Sequence, residues 1–273
     1  MFNRPRILAT AAAVLFAGAM SAFAQGLPTT QPKLLQIYRE QVKTGHAAAH
    51  AKTEAGWPAA FSKAKSPDYY LALSSMTGPQ VVWFLSPWDS YTAWGKSMAR
   101  DEANAELSAE LERLSAADAE HVESLPSLEV IARPDLSHGT YPELNKQRFW
   151  EITIMRVRPG HDGQFAAAAK AYKGMATRSM PNARWRVYQV SGGMAGPTYL
   201  IFSSVDSFSQ FDAMFAEGMA AEKTMTAEER AVFQKFDTEA LISAETNKYR
   251  LDPNMSYVSP ETKAADPAFW SKK

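Results

Sequence analysis

Apolar and polar residues alternate over Leu34 to Val42 and again over Phe149 to Val157, the period-2 pattern of a strand. Each run leads to a glycine, Gly45 or Gly160, that opens a helical stretch, expected over roughly His46 to Lys63 and His161 to Arg178. Pro58 leaves the end of the first helix uncertain, because proline cannot continue an interior helical hydrogen-bond pattern. Two more strand-like runs follow in each half: Tyr69 to Ser75 with Gln80 to Ser86, and Arg184 to Ser191 with Thr198 to Ser203. A Gly-Pro pair lies between the members of each couple, which predicts two hairpins. Asp89-Ser90 and Asp206-Ser207 supply N-cap residues for a second helical region. There Leu107, Leu111 and Leu114, and later Val232, Phe233 and Phe236, recur at helical spacing. Strand-like stretches around Leu128 to Arg133 and Ile242 to Leu251 close the halves.

The same order of elements therefore occurs twice, and the residues repeat with it. Gln41-Val42-Lys43-Thr44-Gly45-His46 echoes Arg156-Val157-Arg158-Pro159-Gly160-His161 at an offset of 115. Gly78-Pro79 echoes Gly196-Pro197 at 118, and Trp88-Asp89-Ser90-Tyr91 echoes Val205-Asp206-Ser207-Phe208 at 117. Matches in order with so little drift indicate a duplicated domain. Each copy reads as βαββαβ, the split-βαβ or ferredoxin-like unit, so the fold class is α+β. One such unit leaves a sheet face uncovered. Two ferredoxin-like repeats packed sheet to sheet, as an intramolecular α/β barrel, solve that problem. The boundaries expected are 1–24 for a signal peptide, 25–33 for a leader and 34–137 for the first repeat. A linker at 138–147, the second repeat at 148–258 and a tail at 259–273 complete the chain.

The signal peptide rests on Arg4 and Arg6, the apolar stretch Ile7 to Met20, and the small-x-small site Ala22-Phe23-Ala24 before Gln25. The apolar stretch is short for a membrane span of about 20 residues, so the mature protein is expected to be secreted or periplasmic, without membrane attachment. The chain has no cysteine, which removes disulfides, thiolate catalysis and Cys-ligated zinc, iron–sulfur clusters or haem. Charges balance at 29 basic and 29 acidic residues, with none of the basic excess that nucleic-acid binding needs. No phosphate loop, Gly-x-Ser-x-Gly elbow or His-Glu-x-x-His motif is present.

The strand–Gly-His–helix opening, the Gly-Pro hairpin and the Asp-Ser-aromatic start of the second helix resemble the dimeric α/β-barrel superfamily. Within it the nearest likeness is to antibiotic-biosynthesis-monooxygenase-like and NIPSNAP-like domains, and it covers nearly all of the mature chain. These motifs are structural, and the superfamily spans cofactor-free oxygenases, haem proteins, isomerases and stress-response proteins, so the likeness implies fold before activity. Related single-domain proteins pair to complete the barrel; here the second half can do so, which implies a monomer with an internal pseudo-dimer.

Candidate site residues follow from the strand faces. Leu35 and Ile37, with Trp150 and Ile152, form an apolar face suited to lie under helices. The opposite face carries Gln36, Tyr38 and Glu40, matched by Glu151, Thr153 and Met155. With Arg186 and Tyr188 of the second hairpin, Tyr38, Glu40 and Glu151 are expected to line a polar barrel cavity. Glu151 would pair there with Arg186, either as a structural ion pair or as part of a ligand site. His50 stands where the copy has Phe165, so it points inward, and it shares a helical face with His46 and Glu54. That placement admits a base, a haem ligand, a metal ligand or a hydrogen-bonded core histidine; no metal and no resident cofactor is assigned, although the resemblance admits haem. Trp57 and Trp83 add aromatic surface for a ligand or for the core. The leading reading is an exported protein that binds a small apolar or aromatic molecule. The alternatives are a cofactor-independent monooxygenase-like or haem-associated enzyme, and a structural or interaction module without a ligand.

Overall fold

The computed structural model describes residues 26–271; the expected signal peptide lies outside the described residues. The first half runs β1 (Leu34–Val42), α1 (Ala47–Glu54), α2 (Gly56–Lys63), β2 (Tyr70–Ser75), β3 (Val81–Trp88), α3 (Tyr91–Glu102), α4 (Ala105–Asp118), β4 (Val122–Ser124) and β5 (Ser127–Ala132). The second runs β6 (Phe149–Val157), α5 (Asp162–Ser179), β7 (Arg186–Gly192), β8 (Thr198–Val205), α6 (Gln210–Glu222), α7 (Ala227–Lys235) and β9 (Leu241–Tyr257), and the tail adds α8 (Pro260–Ala265) and α9 (Pro267–Trp270). The first helix is broken at Ala55, just before Gly56. A Cβ at Gly56 would stand 2.5 Å from Leu114 Cδ2, so glycine lets α2 approach α4 closely.

Each half contributes four antiparallel strands, in the order β5-β1-β3-β2 and β9-β6-β8-β7. The two sheets join at both margins, where β2 pairs with β9 and β5 pairs with β7. The result is a closed eight-stranded barrel, which leaves no unpaired edge except where short β4 extends β1. Helices cover its outside. The tail docks as well: Trp270 is buried, and Arg148 pairs with Asp266 while its guanidinium lies 3.8 Å from the Phe269 ring centre.

The strand faces are the reverse of the sequence expectation for β1 and β6. Leu35, Ile37, Trp150 and Ile152 fill the barrel, together with Leu73, Trp83, Leu128, Leu200, Phe202 and Leu251. Tyr38, Glu40 and Glu151 lie on the outer face, beside or beneath the helices, where Val42, Val82, Phe84 and Met255 also pack. The reason is dielectric. A closed barrel is dry and its interior must be apolar, whereas a helix-covered outer face is broad enough to mix apolar and polar side chains. Arg186 and Tyr188 do face inward, so the proposed Glu151–Arg186 pair does not form. Glu151 instead pairs with Lys248 at 2.6 Å on the outer side.

The β5–β7 seam contains the tightest backbone approach. Gly193 has φ +84°, and a Cβ there would sit 1.9 Å from the Ser127 carbonyl oxygen. Gly160 has a similar φ of +85° with nothing within 4 Å of that position. Gly160→Ala is expected to cost about 1–2 kcal/mol, the left-handed penalty alone. Gly193→Ala is expected to cost more, because backbone must move as well. Equal denaturant midpoints for the two variants would contradict this account of the seam.

Candidate functional site

One end of the barrel encloses a cavity of about 80 Å³. Its wall is mainly apolar, with Leu35, Leu85, Trp150 and Phe202 from the strands and Leu27 and Pro28 from the leader. Arg186, Tyr188 and Tyr141 supply the polar side. Arg186 is 8% exposed and has no carboxylate partner among the described residues. Its guanidinium donates to the carbonyls of His138 at 2.5 Å, Trp185 at 2.7 Å and Gly139 at 2.9 Å, and it lies 5.4 Å from the Tyr141 ring centre. Burial pulls its pKa below the usual arginine value. Burial likewise pushes the Tyr188 hydroxyl well above the ordinary tyrosine range. A more open hollow of about 270 Å³ lies at the other barrel end, between Arg39, Arg156 and Glu245.

The remaining sequence candidates gather elsewhere, between β1 and the helices of the first half. Glu40 projects from the outer face of β1, and His50 and Glu54 share one face of α1 a turn apart. Asp118 closes the group from the last turn of α4. All four are buried: Glu40 is 7% exposed, His50 1%, Glu54 3% and Asp118 6%. His50 Nε2 and Glu40 Oε2 share a hydrogen bond of 2.7 Å, and Asp118 Oδ1 stands 3.8 Å from the same nitrogen. Glu54 Oε1 and Asp118 Oδ1 have no hydrogen-bond partner among the described residues. Desolvation, then the charges of Glu40 and Asp118, raise Glu54 from 4.5 to about 9, with the nearby Trp57 indole opposing. Desolvation and Glu40 raise Asp118 from 3.8 to about 6, with His50 and His121 opposing.

Tyr38 is not part of this group; it is exposed and accepts a hydrogen bond from Gln36. Trp83 is fully buried at the barrel centre, with the Arg39 guanidinium 4.7 Å from its ring centre. His46 leaves the His50 face and meets His121, their Nδ1 atoms 3.0 Å apart. Asp118 escaped the sequence reading, yet a signal was there: it occupies the helix-end place that Phe236 takes in the copy. Haem does not fit His50, which lines neither cavity, whereas a cofactor of that size needs several hundred Å³.

The raised carboxyls give a definite pH dependence. Folded Glu54 keeps a proton up to about pH 9 that the unfolded chain releases near 4.5. The folded state thus binds more protons in that window, and its stability is full below the lower value and declines as pH rises. Asp118 adds the same sign between 3.8 and about 6. In buffer containing EDTA, the thermal midpoint is expected to fall between pH 5 and pH 8.5. Glu54→Gln, neutral throughout, is expected to flatten most of that slope; an unchanged slope would show that Glu54 is not the titrating group.

No protein-family model and no curated protein matches the sequence. Solved structures do resemble the fold. An anthrone oxidase-like protein aligns with TM-score 0.55 and 14% identity, over 82% of this chain and 93% of its own. A protein assigned as a monooxygenase from Lactobacillus acidophilus NCFM aligns with TM-score 0.50 and 8% identity, over 84% of this chain and 100% of its own. One so assigned from Fusobacterium nucleatum gives 0.50 and 12%, over 80% and 91%. Identities this low speak to architecture and leave activity to the site itself. The chain shares the α/β-barrel fold of these structures, with two ferredoxin-like halves supplied by one polypeptide.

Proposed function

We propose that the mature chain is an exported small-molecule-binding protein whose ligand is a small apolar or aromatic acid, held at the leader end of the barrel. The observation that carries this reading is Arg186, a buried cation with no carboxylate partner among the described residues, at the wall of an apolar cavity. Three carbonyls offset part of its desolvation but none of its charge. A ligand carboxylate would supply the missing anion, and Leu35, Leu85, Trp150 and Phe202 would cover the apolar body. The volume is below the roughly 150 Å³ of a cavity that admits benzene. Leu27 and Pro28, which belong to no helix or strand, are the part of the wall that must yield. Export rests on the residues at 1–24, and a monomeric state is supported by a barrel whose two seams close within one chain.

Two measurements test this. Native mass spectrometry of gently purified protein reads out a retained acid directly. Calorimetric titration with a series of aryl and short alkyl carboxylates, each against its neutral amide, reads out the charge requirement. Carboxylates are expected to bind at least about tenfold more tightly than their amides, a difference of about 1.4 kcal/mol. Arg186→Met is expected to abolish that preference while leaving the His50 cluster untouched. Equal binding of acid and amide, or no binding of either, would overturn the reading.

A further inference from the structure

We propose that Glu40, His50, Glu54 and Asp118 form a binding site for one first-row divalent cation, of the Mn²⁺, Fe²⁺ or Zn²⁺ class, between α1, α4 and β1. The four residues offer one nitrogen and three carboxylate oxygens, with those ligand atoms all within 4.8 Å of one another. Metal–oxygen and metal–nitrogen bonds of about 2.0–2.2 Å put neighbouring ligands roughly 3–4 Å apart. The group therefore needs to contract by roughly 1–2 Å at its widest to meet an ion. Nothing else in the surroundings supplies the balancing charge: the ion pairs made by Glu40 and Asp118 are to His50 alone, and Glu54 makes none among the described residues. Three carboxyl groups buried around a single imidazole are costly as anions unless they take up protons or a cation joins them.

Two independent observations point to a ligand rather than to an inert polar core. The first is orphaned polarity aimed at one place. Glu54 Oε1 and Asp118 Oδ1 lack partners, and so do the Trp57 Nε1 and the Tyr70 hydroxyl, which feels the charges of Glu54 and Glu40. Carboxylates that ligate an ion turn their remaining oxygens to donors of this kind. The second is the duplicate half, which builds the same junction without any charge. Where the first half has Glu40, His50 and Glu54, the second has Met155, Phe165 and Ala169, and Phe236 takes the place of Asp118. Those four residues belong to one apolar cluster, with the Phe165 and Phe236 ring centres 5.9 Å apart. The fold is satisfied by hydrocarbon there. Four polar replacements at one junction, all facing one another, are not what packing alone calls for.

The donor set selects the ion. Absence of sulfur disfavours Cu(I), and four ligands with one imidazole are too few for Ca²⁺, which takes six to eight oxygens. Mg²⁺ keeps several waters, and these four residues are at most 7% exposed. Four protein ligands also complete a closed coordination sphere, the arrangement of a structural centre. The ion would fasten α1, from His50 to its last residue Glu54, to the end of α4 and to β1.

The test uses the full mature chain, stripped with chelator and returned to Mn²⁺, Fe²⁺ (anaerobically), Zn²⁺, Mg²⁺ or Ca²⁺ one at a time. Inductively coupled plasma mass spectrometry after desalting is expected to give one first-row ion per chain. The thermal midpoint is expected to rise with that ion, and to stay unchanged with Mg²⁺ or Ca²⁺ at equal concentration. Glu54→Gln and Asp118→Asn, which keep shape, are expected to weaken binding at least about a hundredfold. A quadruple variant carrying the residues of the copy, Glu40→Met, His50→Phe, Glu54→Ala and Asp118→Phe, is expected to fold, bind no ion and lose the metal-dependent midpoint shift. Glu151→Gln, on the outer face beside Lys248, serves as the control that retains one ion. His46→Gln is expected to retain it too. Less than a tenth of an equivalent bound by the parent chain would overturn the proposal, as would undiminished binding in Glu54→Gln and Asp118→Asn.

Discussion

Backbone pairing between the halves is the constraint on which everything else rests. The β2–β9 and β5–β7 ladders turn two open sheets into one closed wall, and closure fixes which face of every strand is dry. Once the interior is sealed, Leu73, Ile152 and Leu200 can fill it with hydrocarbon alone. The helices are then left to cover the outside, and the space beneath them becomes the interior region where carboxylates gather. Both candidate sites follow from this division. The Arg186 cavity is a defect at the mouth of the dry compartment, and the Glu40–His50 cluster belongs to the layer outside it.

Much of the architecture was legible because it is written locally. Gly45-His46 and Gly160-His161 mark strand-to-helix turns, and the Gly-Pro pairs mark hairpins, each within a few residues of sequence. Their recurrence at nearly constant offset is enough to reveal two copies and a barrel. The orientation of the strands was not local. Alternation in β1 separates Leu35 and Ile37 from Tyr38 and Glu40, but both sets end up against other protein, so periodicity alone does not say which is inward. Closure decides it, and closure depends on residues far apart in the chain, such as Ala132 with Tyr188 at one seam and Tyr70 with Tyr257 at the other.

The cluster beneath α1 shows the same division. His50 and Glu54 could be placed together from helical spacing, and the Phe165 of the copy indicated that His50 is buried. Glu40 was assigned to the wrong side of the sheet, and Asp118 lies 68 residues beyond His50 in the chain, at the end of a helix that the sequence marked only by its leucines. The aligned copy held the missing information. Comparing which positions change from hydrocarbon to charge between two halves of one fold locates a site that neither half discloses alone.

The two ends of the described chain also meet at one place. Leu27 and Phe269 both pack against the barrel core, and Gly26 lies beside Ser259. Head and tail together act as a clasp on a single mouth of the barrel. Fraying, trimming or fusion at either terminus would therefore loosen the same door, while the opposite mouth, around Arg39 and Glu245, would not feel it.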